Sequence, residues 1–228
     1  MENTFSLFGF QHILAMILGV IGVIVALFFS NANHRVIPKI IAFLALVLKI
    51  GELLYRYAII KEPIIDLLPL HLCNITLILA IIVLLFRADF LFQIIYYWGI
   101  GAIFAIVTPD VKRAFPDFAT ISFFITHFFV LFAPFCCITA FNIKPTLKGF
   151  WGSFLALNVF AVIVFFVNRK LGTNYLFINR MPEFSSPLKY FGEWPYYLII
   201  LEVLYLIITY ILYLPFKRSK AKYISRSR

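Results

Sequence analysis

Residues 8–30 read FGFQHILAMILGVIGVIVALFFS, with no lysine, arginine, aspartate or glutamate. A stretch of that length and apolarity satisfies its backbone polar groups in hydrocarbon only as a spanning helix. Six further apolar runs follow, near 38–60, 68–87, 90–109, 117–141, 149–168 and 195–216. Each is bounded by a break: Asn31 to Asn33, Pro63, Arg87 to Asp89, Pro109, Lys144-Pro145, and the polar stretch from Asn168 to Pro195. The 228 residues are 63% hydrophobic and 13% charged, with a mean hydropathy of +0.98, more apolar surface than a soluble core of this size can hide. The pattern predicts an all-α polytopic transmembrane helix bundle of about seven helices. It forms a single transmembrane domain over residues 1–216, followed by a basic cytoplasmic tail over 217–228.

Met1 to Leu7 carries no basic residue, so the first apolar segment reads as a retained helix, not a secretory signal. Arg35, Lys39, Arg87, Lys144, Lys148 and six basic residues from Lys217 to Arg228 fall on one side of the predicted bundle, with Asp89 as their only acid. On the other side Lys61, Lys112, Arg113, Arg169, Lys170, Arg180 and Lys189 are balanced by Glu2, Glu62, Asp66, Asp110, Asp117, Glu183 and Glu193. Because short cytoplasmic loops collect lysine and arginine, this predicts the N-terminus outside and the C-terminus inside. The basic tail is read as a topology anchor that touches anionic lipid. It lacks the aromatic or glycine-rich pattern of a nucleic-acid binder, so no nucleic-acid partner is expected.

Against this apolar background the polar residues stand out, because an ionisable group at bilayer depth costs about 2.5–3.5 kcal/mol on insertion scales. Lys49, Glu52 and Arg56 in the second segment share one helical face, Glu52 lying three residues from one cation and four from the other. They read either as a neutralised structural cluster or as the lining of a polar cavity. His12, His71, Cys73, Asn74, Asp110 and His127 all fall in the outer halves of their segments. The simplest arrangement that satisfies them is one water-accessible pocket opening outward. The inner half has little to compare, with Lys49 near mid-membrane, Gln93 and Asn158.

Cysteine is the strongest nucleophile in this set, but only as a thiolate beside a base, a cation or a helix N-terminus. A third helix starting at Pro69 puts Cys73 near the positive end of its dipole. His71 is two residues away, and on a helix such residues face apart. The base is therefore sought in His127, within FFITHFFVLF, with Asp110 or Glu52 as its orienting partner and His71 as a second proton carrier or oxyanion donor. One difficulty is height. His127 lies about 15 Å below the start of its segment and Cys73 about 6 Å beyond Pro69, so the third helix must begin nearer Pro63, or the fifth closer to His127. The bland alternative is that Cys73 is a small hydrophobe in packing, as Cys136 and Cys137 are read. In the long loop from Asn168 to Tyr197, Asn174, Tyr175 and Glu193 can reach a pocket mouth, while Trp194, Tyr196 and Tyr197 suit an interfacial aromatic belt. The three cysteines make no zinc spacing or disulfide framework, and no cofactor or metal is expected.

The HLC of LPLHLCN, the YYWGIGAIFAIVTPD stretch, the histidine of FFITHFFVLF, the GTNYLFINRMP loop and GEWPYY together resemble the YwaF-type bacterial integral membrane proteins. Animal relatives of that family are described as transmembrane acyltransferases. The resemblance covers essentially the whole chain. It implies a multi-pass protein of the bacterial plasma membrane in which a cysteine and a histidine, here Cys73 and His127, transfer acyl chains of phospholipid or lysophospholipid through a thioester. A competing reading is a small-solute or proton transporter using Lys49, Glu52, Arg56 and the histidines as a relay. A third is bis-histidine haem ligation by two of His12, His71 and His127.

Overall fold

The computed structural model describes residues 4–111, 113–182 and 187–217. Among these residues the fold is all-helical, with seven α-helices: α1 (Phe10–Ala32), α2 (Ile37–Tyr55), α3 (Leu72–Phe86), α4 (Phe92–Val107), α5 (Phe118–Thr139), α6 (Leu147–Leu171) and α7 (Tyr196–Lys217). Among the described residues the only β pairing is an isolated bridge between Thr4 and Arg113. Four helices (α1, α5, α6 and α7) are long and apolar enough to cross a bilayer, and α3 and α4 are shorter apolar helices. The chain is a multi-pass membrane protein. Residues 218–228 of the basic tail, with Glu2, Lys112 and Glu183 of the charge pattern, lie outside the described residues.

Local chemistry sets the helix ends. Pro38 occupies the first turn of α2, where its missing N–H has no intrahelical acceptor to lose. Asp117 accepts from the Ala119 and Thr120 amides at the start of α5, and the Thr146 hydroxyl accepts from Gly149 N–H at the start of α6; both are N-caps. Gly172, at φ 71°, ends α6 in the left-handed conformation that glycine adopts without strain. Past Tyr55, α2 widens into a π-turn over Arg56–Ile60 and closes at a left-handed Lys61.

For reference, one end of the bundle is called the N-face. It gathers the start of α1, the 61–71 and 108–117 segments, and the loop between α6 and α7. The opposite C-face gathers the turns at 33–36, 87–91 and 140–146. α5 is the central helix and packs on α1, α2, α3 and α4. Alanines at the crossings (Ala42, Ala45, Ala80, Ala102 and Ala133) are almost fully buried, which lets backbones approach closely, as membrane helices do without a hydrophobic driving force between them. Gly19 of α1 serves the same end, because a Cβ there would sit 1.9 Å from the Phe128 ring.

The core fills the C-face half with Val83, Leu84, Phe92, Ile95, Phe132, Ala133, Cys136 and Cys137. There α6 is locked to the first half of α4 (Phe92–Trp98). Gln93 accepts from Thr146 N–H and donates to the Lys144 carbonyl, both at 3.0 Å, and Tyr97 donates to the Thr146 carbonyl. At Gly99 the helix breaks, and its second half (Ile100–Val107) packs on α5 and α3 instead. The α6–α7 pair thus leaves the bundle as it approaches the N-face. The space between becomes the site.

Candidate functional site

The N-face half holds a cavity of about 1380 Å³ lined by α2 to α7 and the loops above them. Its polar wall starts on α2. Glu52, 6% exposed, takes Lys49 Nζ at 2.5 Å on one oxygen and Arg56 Nη1 at 3.1 Å on the other. Arg56 reaches on through Nε at 2.9 Å to Glu62. The predicted stripe is therefore one alternating chain, Lys49–Glu52–Arg56–Glu62, running along the cavity wall. Arg56 itself keeps helical register with Glu52, and the π-turn that follows it brings Glu62 back, its N–H on the Arg56 carbonyl, to pair with the half-buried guanidinium across six residues.

α3 begins at Leu72, later than the run at 68–87 suggests, because Leu67 to His71 form a bend. At fifteen residues it is too short to span the bilayer by itself, so its N-terminus opens inside the bundle. That removes the height difficulty. Cys73 stands thirteen residues before the end of α3 at Phe86, and His127 twelve before the end of α5 at Thr139. Counted from the C-face at ~1.5 Å per residue, both lie about 18–20 Å up. Both line the cavity.

His127 Nδ1 lies 2.6 Å from the Phe123 carbonyl. A carbonyl only accepts, so Nδ1 carries the proton and Nε2 the lone pair. No hydrogen bond to Nε2 forms among the described residues, and it is not among their sealed, unpaired side-chain nitrogens and oxygens. A free imidazole base faces the cavity. Its orienting partner is this backbone carbonyl, and neither Asp110 nor Glu52 takes the part expected of one. Cys73 is a free thiol, half-buried in the first turn of α3 against Gly101 of α4, with no hydrogen bond to either histidine.

His71 immediately precedes α3 and also lines the cavity, its ring edge-on to Tyr175 at 5.0 Å and tilted against Phe177 at 5.4 Å. A neutral imidazole in this place offers one donor and one acceptor. Asn74 and the exposed Asp110 complete the set that the structure brings to the cavity.

Three expected pocket residues lie elsewhere. His12 is fully buried beside the Phe5 and Phe124 rings. It accepts from Phe8 N–H at Nδ1 and donates from Nε2 to the Ile106 carbonyl at 2.8 Å. Both nitrogens are committed, Nδ1 to the turn that leads into α1 and Nε2 to tying α1 to α4. Asn174 folds the loop after α6, its side chain bonding the Asn179 amide and both backbone groups of Arg180. Tyr175 is 3% exposed, and its hydroxyl donates to the Ile65 carbonyl. Burial pushes that phenol up, so it stays a donor. Leu176 and Phe177 take positive φ values of 58° and 53°, a rare conformation for such residues. The turn they make aligns Tyr175 and Phe177 on His71, with Leu176, Phe177 and Ile178 lining the cavity. Asn168, 1% exposed, anchors the turn from below through Tyr175 and Asn179. The aromatic belt is also partly a roof, because Trp194 lines the cavity and donates to the Ile178 carbonyl at 2.8 Å.

The sequence reading missed Glu202 and assigned Asn158 to the other half of the membrane. Both line the cavity, from α7 and α6. Glu202 makes no hydrogen bond or ion pair among the described residues and is exposed. Its signal was available, since a carboxylate inside LIILEVLYL carries the same insertion penalty that marked Glu52. Asp117, the α5 cap, also faces the cavity, accepting from Tyr55 at 3.1 Å.

An uncharacterized protein of Treponema pallidum (strain Nichols) is 30% identical over 154 residues, covering 67% of this chain and 63% of the relative's own length. No solved structure matches the chain. Residues 7–213, which take in α1 to α6, all but the last four residues of α7 and every described residue that lines the cavity, match the TMEM164 family, to which this chain belongs.

Proposed function

We propose that this protein is a membrane-embedded lipid acyltransferase working through a Cys73 thioester in the N-face cavity. The observation that carries the reading is His127: a tautomer fixed by the Phe123 carbonyl, with an unbonded Nε2, in the same cavity and at the same height as a free thiol in the first turn of a helix. A general base with its lone pair free, sharing a cavity with a thiol, supplies the two groups that acyl transfer through a thioester requires. The resemblance of LPLHLCN and FFITHFFVLF to the YwaF-type proteins and their animal acyltransferase relatives supports the same pair.

In this scheme Cys73 Sγ attacks the ester carbonyl of a phospholipid and its proton passes to His127 Nε2, directly or through one water. The tetrahedral oxyanion is met by a neutral His71 and by the Leu72 and Cys73 amides at the start of α3, which no side chain caps. Collapse breaks the ester C–O bond, the lysophospholipid leaves with the proton from His127, and the acyl chain stays on sulfur. A hydroxyl acceptor, deprotonated by His127, then attacks the thioester and regenerates the thiol. The Glu52 network holds Lys49 and Arg56 neutralised around this chemistry. With the N-terminus outside, the site serves the outer leaflet of the bacterial plasma membrane.

The test is reconstitution in vesicles that contain a phospholipid with an isotope-labelled acyl chain and a lysophospholipid acceptor. Labelled chain should move to the acceptor with the wild-type protein and stop moving with Cys73→Ala and with His127→Ala. Undiminished transfer by Cys73→Ala ends the proposal.

A further inference from the structure

The cavity has a second wall that the Cys73 chemistry does not use. Along α6 its lining residues are Phe154, Leu157, Asn158, Ala161, Val162 and Phe165, spaced as one unbroken helical stripe. α7 faces it with Leu198, Leu201, Glu202, Leu204, Tyr205 and Ile208, again at helical spacing, and the second half of α4 with Ile100 and Phe104. These stripes meet open space where bundle helices meet one another, because α6 packs on the first half of α4 and leaves the second half to α5 and α3. Phe104 and Val162 line the cavity and are each 57% exposed. The gap between α4 and the α6–α7 pair therefore opens sideways at hydrocarbon depth.

We infer that this gap is a lateral groove that takes one ester-linked acyl chain directly from the bilayer, with the ester end at the Lys49–Glu52–Arg56 wall and the chain running down the α6 stripe. Dimensions fit: Phe154 to Phe165 is eleven residues, about 16 Å of helix, and one leaflet is half of a hydrocarbon core about 30 Å thick. Charge fits as well. Glu202 adds an unpaired carboxylate to the groove while Lys49 and Arg56 are committed to Glu52 and Glu62. A free fatty-acid anion is repelled there, whereas the neutral ester of a glycerolipid is not. The floor is sealed by Trp98, which donates to the Ser153 carbonyl at 3.1 Å, and by Tyr205 over Ser153, so the chain enters from the side and not from the C-face.

The inference rests on the lipid reading above for what the ester does next, but not for its binding. The full chain carrying Cys73→Ala, which cannot turn a probe over, is placed in phosphatidylcholine vesicles doped with a phosphatidylcholine bearing a diazirine midway along one acyl chain. After illumination, adducts should concentrate on Phe104, Leu157, Val162 and Leu204, and labelling of these should fall several-fold in Ala161→Trp, which fills the groove. Adducts on Leu155 and Val159, exposed on α6 away from the cavity, should not change. Labelling spread evenly over all exposed helix faces overturns the inference, as does a dimer cross-linked through the α4–α6 gap. The adduct map of the Cys73→Ala chain by itself decides the matter even if the added Ala161→Trp fails to fold. A labelled groove in a protein that transfers no acyl chain sinks the enzymatic reading and leaves the groove standing.

Discussion

At the C-face, Gln93, Tyr96 and Tyr97 each bond a backbone atom of another segment, at Lys144 and Thr146, Leu212, and Thr146. At the N-face, Cys73, His127 Nε2 and Glu202 meet no hydrogen-bond partner among the described residues, and they line a cavity. The same helices make both ends. They differ because α4 breaks at Gly99, where a Cβ would come within 2.8 Å of the Ile95 carbonyl and 3.6 Å of the Val130 carbonyl. Below the break the helices interlock; above it α6 and α7 diverge. Polar side chains below the break hold the fold, and those left unpaired above it are available for chemistry.

The sharpest way to break this comparison is to remove one group from the open end. Cys73→Ala should lower acyl transfer by at least about 10³-fold, the scale of losing a covalent nucleophile, while thermal unfolding of the purified protein stays within a degree or two of wild type. A large loss of stability would mean that Cys73 is a packing residue. Glu52→Ala comes next. It strands Lys49 and Arg56 on the cavity wall and should destabilise the protein by about 3 kcal/mol, seen as a lower melting temperature in nanodiscs. Glu202→Gln removes an equally apolar-flanked carboxylate that has no partner to strand, so its melting temperature should hold.

These two glutamates also mark what a sequence can reveal. The insertion penalty singles out Glu52, and helical spacing alone pairs it with Lys49 and Arg56. The same rule would have found Glu202. Glu62, by contrast, meets Arg56 only because α2 opens into a π-turn, which no spacing announces. His12 was indistinguishable from a site histidine, because the acceptor that claims its Nε2, the Ile106 carbonyl, lies ninety-four residues away. The seven helices were legible from hydropathy to within a few residues. The late start of α3 was not, and on that offset depends whether Cys73 and His127 share a height.

Two smaller effects sharpen the closed end. Gly19→Val drives a side chain into the Phe128 ring and should destabilise by about 1–3 kcal/mol, as overpacking does. Gln93→Leu deletes two bonds of the α4–α6 lock and should cost about 1–2 kcal/mol in denaturation, with transfer per folded molecule unchanged. A selective loss of transfer in Gln93→Leu would show that the C-face takes part in catalysis and that the division between the two ends is wrong.

The central claim is that the open end forms an acyl-thioester on Cys73. Intact-mass measurement of the purified protein after incubation with a single-species phospholipid, without acceptor, tests it most directly. The account predicts a gain of one acyl chain, mapped to the peptide containing Cys73, released by neutral hydroxylamine and absent from Cys73→Ala. Acyl transfer at the wild-type rate by Cys73→Ala, with no adduct on the wild-type thiol, would contradict it.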